Sequence, residues 1–207
     1  MTDKIGILSN GGRAYFYIVR ELTNLGVPFI ESDEIKKLIG VNVILATVEV
    51  APEVLKHLSD IKIFYLSEDI LLEDAQIIIL EAIYYSKRKN QPKNIIFGID
   101  PGDKRFGFVC ILDDVVIKKE IYRDSERVVR EIKKLAEKID FREKIYIFLG
   151  GGARVDDLNA LKRLRRIDNK RRRIILKIVD ENNSSKFGND AAAAYFIALR
   201  GISRYIL

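Results

Sequence analysis

The chain alternates short apolar runs with longer segments of helical spacing, and this pattern changes character near its middle. In the first part, Lys4 to Ser9, Val27 to Ile30, Val41 to Ala46 and Ile61 to Leu66 are apolar runs of strand length. Between them, Arg13 to Leu25 repeats apolar residues at helical spacing, with Phe16, Val19, Leu22 and Leu25 on one face. Gly26 stops that helix. Ser32 or Asp33 caps a short helix through Leu38 or Ile39. A further helix opens near Pro52 and carries Val54, Leu55 and Leu58, and a longer one runs from Leu72 to Tyr85. Strands alternating with helices predict a small parallel, Rossmann-like α/β domain over residues 1–86.

Residues 87–94 are polar and basic and include Pro92, which marks a linker. The second part, 95–207, opens on Ile95-Ile96-Phe97-Gly98-Ile99-Asp100, a buried strand that ends in an acid. Phe106 to Leu112 and Val115 to Tyr122 follow across short turns, predicting an antiparallel meander. Asp124 or Ser125 caps a helix carrying Val128, Val129, Ile132, Leu135 and Ala136. Then come a strand at Ile145 to Leu149, a helix from Asp156 to Arg166, and a strand at Arg173 to Val179. Asn189-Asp190 opens an Ala-rich last helix, stopped at Gly201. Right-handed crossovers place the last two strands parallel to the first, on the side away from the hairpins. A five-stranded mixed sheet with helices on its faces is expected.

Charge sharpens the division. Residues 1–86 hold 7 Lys+Arg and 13 Asp+Glu, net −6, whereas residues 87–207 hold 29 and 17, net +12. The second part is the candidate for a polyanionic partner. Lys162, Arg163, Arg165, Arg166, Lys170, Arg171, Arg172 and Arg173 crowd one segment and are expected to meet phosphates, a solvated helical face being the alternative. The single cysteine, Cys110, excludes an intrachain disulfide and fits a reducing, cytoplasmic setting. No apolar run is long enough for a membrane span and no signal peptide is recognised. Abundant Lys, Arg, Glu and Ile suit a thermophile.

Three acids stand at comparable places: Asp100 after the first strand of the second part, Glu181 after its fifth, and Asp190 at the start of the last helix. If the strands pack as expected, they converge, and clustered carboxylates need cations between them to stay ionised together. Mg²⁺ or Mn²⁺ suits oxygen ligands, and a pair of such ions activates water toward a phosphodiester. Asp180 is an auxiliary candidate, and Lys104 and Arg105 could contact a nearby phosphate. Each acid also has a plainer role: Asp190 at the positive end of its helix, Asp180 and Glu181 in a solvated loop, and Asp100 bonded to a turn amide. In the first part, Asn10-Gly11-Gly12-Arg13 reads as a tight turn or a phosphate cradle, but it lacks the third glycine of the dinucleotide pattern. His57, the one histidine, has no neighbours suited to a metal site and reads as a surface or partly packed residue.

Gly98-Ile99-Asp100-Pro101-Gly102-Asp103-Lys104-Arg105-Phe106-Gly107 resembles the first motif of the RuvC/YqgF family of ribonuclease H-fold nucleases. Val179-Asp180-Glu181-Asn182-Asn183-Ser184-Ser185 is similar to that family's Asp-Glu segment, and Asn189-Asp190 with Ala191 to Ala194 to its last motif. The resemblance covers residues 94–201 and implies an RNase H-like fold and metal-dependent cleavage of nucleic acid, with Asp100, Glu181 and Asp190 as catalytic metal ligands. The RuvC branch has a glutamate where this chain has Leu149 and Gly150 to Gly152, so the YqgF branch is closer. RNA or branched DNA is the implied substrate. A non-catalytic nucleic-acid-binding protein that keeps the fold is the alternative, and the Asp-Pro-Gly turn also occurs in actin-like ATPases and sugar kinases. The expected partners are nucleic acid and a possible homodimer, with no membrane; the partner of the first domain is left open.

Overall fold

The structure, a computed structural model, describes residues 4–38, 40–48, 60–152, 155–164, 173–180 and 190–206, with the side chains of 155, 157 and 158 excepted. Two compact units divide it, residues 1–90 and 91–207.

The first unit is a four-stranded parallel sheet of β1 (Ile5–Leu8), β2 (Phe29–Ser32), β3 (Val43–Ala46) and β4 (Lys62–Tyr65), in the order β2-β1-β3-β4. The two central strands are buried throughout, as apolar residues on both faces require. Helix α1 (Arg13–Asn24) follows β1 and ends where Gly26 takes a left-handed φ of 64°. Its buried face is Ala14, Tyr17, Ile18 and Leu22; of the expected stripe Leu22 is buried, Val19 and Leu25 are half-buried, and Phe16 is 70% exposed. The helix is rotated because Tyr17 satisfies both demands of burial: its ring packs inward and its hydroxyl donates to the Leu72 carbonyl at 3.0 Å. The short helix near Ser32 is one 3₁₀ turn, Ile35–Leu38, started by Ser32 Oγ accepting from the Glu34 amide. Helix α2 (Leu72–Lys87) extends two residues past the expected end, and Ser86 is buried by donating to the Ile83 carbonyl. The helix expected around Pro52, and His57, lie outside the described residues.

The second unit is a five-stranded mixed sheet flanked by helices. Its strands are β5 (Asn94–Pro101), β6 (Phe106–Leu112), β7 (Val115–Tyr122), β8 (Lys144–Gly150) and β9 (Arg173–Val179), in the order β7-β6-β5-β8-β9. The β5–β6 and β6–β7 pairs are antiparallel and the β5–β8 and β8–β9 pairs parallel. Helix α3 (Ser125–Lys138) is capped by Asp124, whose carboxylate accepts from the Arg127 amide at 2.8 Å. Helix α4 (Val155–Lys162) connects β8 toward β9, and α5 (Asp190–Tyr205) closes the described chain.

The α5 face of the sheet is the better key to function. Ile96, Val109, Ile111, Tyr146, Phe148 and Val179 from the sheet form one core with Ala194, Ile197 and Ala198 from α5. Strand alternation therefore puts Gly98 and Asp100 of β5, Gly107 of β6 and Gly150 of β8 on the same side. The expected stop at Gly201 does not occur; α5 runs on to Tyr205 and Gly201 is buried. A Cβ there would enter the Phe148 ring. Glycine here serves close packing and does not end the helix.

Candidate metal and nucleic-acid site

Asp100 is the next-to-last residue of β5, half-buried, and registered opposite Gly107 of β6. Opposed residues of an antiparallel pair show their side chains on one face. That face is the one α5 covers. A Cβ on Gly107 would run into the backbone carbonyl of Asp190, the first residue of α5. The helix thus begins directly on the residue beside Asp100. Gly98 admits the same helix a turn later: its Cβ would strike the Ala194 carbonyl and lie 2.8 Å from the Ala198 Cβ. The bare glycines and the small Ala194 and Ala198 let helix and sheet backbones touch. Two acids ninety residues apart in sequence are brought to one end of the sheet by this contact.

The third acid, Glu181, lies outside the described residues, as do Arg165, Arg166, Lys170, Arg171 and Arg172. Asp180, exposed and immediately after β9, shows where that strand delivers the chain. Ile99 registers with Leu149, and Leu149 with Ile178, so the ends of β5, β8 and β9 lie level. Two strand spacings, about 10 Å, separate β5 from β9. Gly150 sits between them on the α5 face and offers neither bulk nor a ligand. Its neighbours Tyr146 and Phe148 are core residues, as expected, and their rings stack. The Asp180 carbonyl accepts from Arg200 of α5 at 2.9 Å, tying the end of β9 to the helix that carries Asp190. Among the described residues, no group of three His, Cys, Asp or Glu comes together.

The cations are placed as follows. Arg105 follows the turn that β5 makes into β6, which the Gly102 amide closes by donating to the Arg105 carbonyl at 2.9 Å. Its Nε lies 3.3 Å from Asp190 Oδ2. Lys104 is exposed in the same turn. Arg163 is paired with Glu126 of α3, so this member of the basic segment is already engaged within the chain. Lys162 and Arg173 are exposed.

On the other face of the sheet, Lys118 is buried although charged. A β-bulge between Cys110 and Ile111 sets Lys118 opposite Cys110, pointing it toward α3, where it meets Glu131 at 2.6 Å and Glu120 at 3.0 Å. Burial alone lowers the Lys118 pKa, but attraction and hydrogen bonds from Glu131 and Glu120 outweigh it and leave it raised. Burial likewise raises the Cys110 thiol and the Tyr122 phenol. These groups are held protonated inside a core and face away from Asp100.

In the first unit, the glycine turn after β1 is occupied from within. The Glu68 carboxylate accepts from the Arg13 amide at 2.7 Å and from the Ala14 amide at 3.3 Å, at the positive end of α1. Gly12, with φ of 97°, has no room for a Cβ because Glu68 fills the space. The adjacent cavity of about 280 Å³ is lined by Glu31 and Asp33 together with Ser9, Gly11 and Tyr15. Tyr15 donates to Glu31 at 2.6 Å, and this bond raises its phenol pKa. The amides that a phosphate would use are taken by Glu68, and the cavity beside them is lined with acids.

No protein-family profile matches this chain. No curated protein matches it either. Solved structures do. A Bacteroides thetaiotaomicron protein with actin-like ATPase fold and unknown function is 9% identical, over 69% of this chain and 48% of its own, with a TM-score of 0.31. The Argonaute of Aquifex aeolicus is 13% identical over 86% of this chain and 35% of its own, at a TM-score of 0.32. Aa-Ago with externally bound siRNA is 15% identical over 86% of this chain and 34% of its own, at 0.29. The chain therefore spans about half the length of the first and a third of the others, and similarity at these scores assigns neither fold to it.

Proposed function

We propose that residues 91–207 form an RNase H-like, divalent-metal-dependent nuclease of the RuvC/YqgF type acting on structured RNA or branched DNA. The observation that carries this reading is the seating of Asp190 on Gly107, the register partner of Asp100. The strand order β7-β6-β5-β8-β9, with its antiparallel half and its parallel half, is the order the resemblance implies. Asp100 and Asp190 would hold Mg²⁺ or Mn²⁺, with Glu181 as the third ligand. The donor set fits: two carboxylic acids stand on one face at one end of the sheet and offer only oxygen, the ligand such ions prefer. When bound, the ions supply a water nucleophile and stabilise the leaving oxygen. Asp100 and Asp190 would hold the ions from two different elements, one strand end and one helix start. Gly150 adds no side chain between Asp100 and the end of β9. Lys104, Arg105 and the basic segment from Lys162 to Arg173 supply phosphate contacts.

The test is cleavage of an RNA hairpin and a four-way DNA junction with Mn²⁺ or with EDTA. Activity is expected only with metal. Asp100→Asn should reduce it at least about 100-fold, since loss of a mere outer-shell partner already costs about 10–100-fold. Cleavage in EDTA, or an unimpaired Asp100→Asn, contradicts the reading. A binding protein without catalysis is the second reading, favoured by Gly150 standing where a further acid would complete the site. Salt-sensitive nucleic-acid binding with no Mn²⁺ uptake would support it.

A further inference from the structure

Arg105 is the one cation among the described residues that pairs with Asp190, at 3.3 Å from Nε to Oδ2. Its backbone is pinned by the Gly102 hydrogen bond, and a Cβ on Gly102 would lie only 2.8 Å from the Arg105 carbonyl oxygen. Its side chain is by contrast largely in solvent, 66% exposed, while that of Asp190 is 34% exposed. The neighbouring Lys104 has the same charge but forms no ion pair among the described residues. We infer that Arg105 is a placeholder cation: it neutralises Asp190 in the metal-free chain and is exchanged for the divalent ion when that ion binds. The inference rests on the metal-dependent reading above and adds a residue that regulates loading of that site.

The physical reason is competition for one carboxylate. Asp190 starts a helix whose backbone lies directly against Gly107, the register partner of Asp100. A carboxylate on the same face as a second acid gains from a positive charge beside it, and Arg105 supplies that charge to Asp190. A guanidinium does so without metal, and its exposed, flexible stem lets it leave at little cost. A divalent ion takes the same oxygen lone pairs, and a guanidinium that stayed would add like charge beside it. Exchange follows, and the fixed turn keeps the released guanidinium beside the site.

Calorimetric titration of the full chain with Mn²⁺ tests this. Arg105→Ala should bind Mn²⁺ about twofold to fivefold more tightly than wild type, the range that an exposed ion pair supports. Lys104→Ala should change affinity by less, because Lys104 forms no ion pair with Asp190 that must be displaced. In an Asp190→Asn background, Arg105→Ala should add nothing, as a double-mutant cycle requires of a direct pair. Unchanged or weaker binding by Arg105→Ala overturns the exchange, and so does equal tightening by Lys104→Ala or an undiminished effect in Asp190→Asn. In each of those cases the metal-dependent reading survives. A wild-type chain that takes up no Mn²⁺ overturns both.

Discussion

Single glycines decide where α5 sits on the sheet. Gly107 lies under the first residue of α5, and any side chain there must push Asp190 off the sheet. Gly107→Ala should destabilise the protein by about 1–3 kcal/mol, the cost of overpacking, or more where backbone must move. Urea unfolding measures that loss, and the same variant should bind Mn²⁺ more weakly because Asp190 is displaced from Asp100. Gly102→Ala should be milder toward stability, since its one close contact is the Arg105 carbonyl oxygen within an exposed turn and no helix has to move. In the first unit, Glu68→Ala removes the carboxylate that caps α1 and should cost about 1 kcal/mol, readable in the same unfolding experiment. Asp100 as a strand-end acid was legible in the sequence, because the apolar run before it predicts burial and the register places it. The purpose of Gly98, Gly107 and Gly201 was not, because a glycine's partner belongs to a distant element. Nor was the Arg105–Asp190 pair, which needs the helix seated first.

Elements were more legible than faces. The strand order of the second unit follows from hairpin lengths and crossover handedness, and the structure has that order. On α1 the expected Leu22 is buried but Phe16 is not: Phe16 outranks Tyr17 in hydrophobicity, whereas Tyr17 can bury its ring and still satisfy its hydroxyl. Lys118 was unreadable for a related reason: a bulge in the β6–β7 ladder, invisible in the sequence, turns it inward to Glu131. That cluster makes a prediction about alkali. Cys110, Tyr122 and Lys118 all hold their protons more tightly folded than unfolded. Their contribution to stability is complete below the unfolded values, about 8.5, 10 and 10.4 respectively, and is lost as pH rises through them toward the folded values. Stability should therefore fall from about pH 8.5 upward, by at most about 1.4 kcal/mol per pH unit for each group. Tyr122→Phe should flatten the slope above about pH 10. A stability that is level or rising from pH 8.5 to 11 contradicts the assignment.

At the scale of the molecule, charge and packing divide the chain together. The acidic part and the basic part of the sequence correspond to separate compact units, with exposed Lys87, Arg88 and Lys89 at their boundary. Brief trypsin treatment should cut there first and release a fragment that begins near Lys89 or Asn90. A first cut inside β5 to β8 would argue against two separate cores. The account as a whole depends on one placement: oxygen ligands from a strand end and from a helix start sharing a divalent ion. A crystal soaked in Mn²⁺ and measured for anomalous scattering tests this most directly. A peak bridging the carboxylates of Asp100 and Asp190, with Glu181 reaching the same density, is the predicted result. Saturating Mn²⁺ with no peak there, and Arg105 still seated on Asp190, would contradict it.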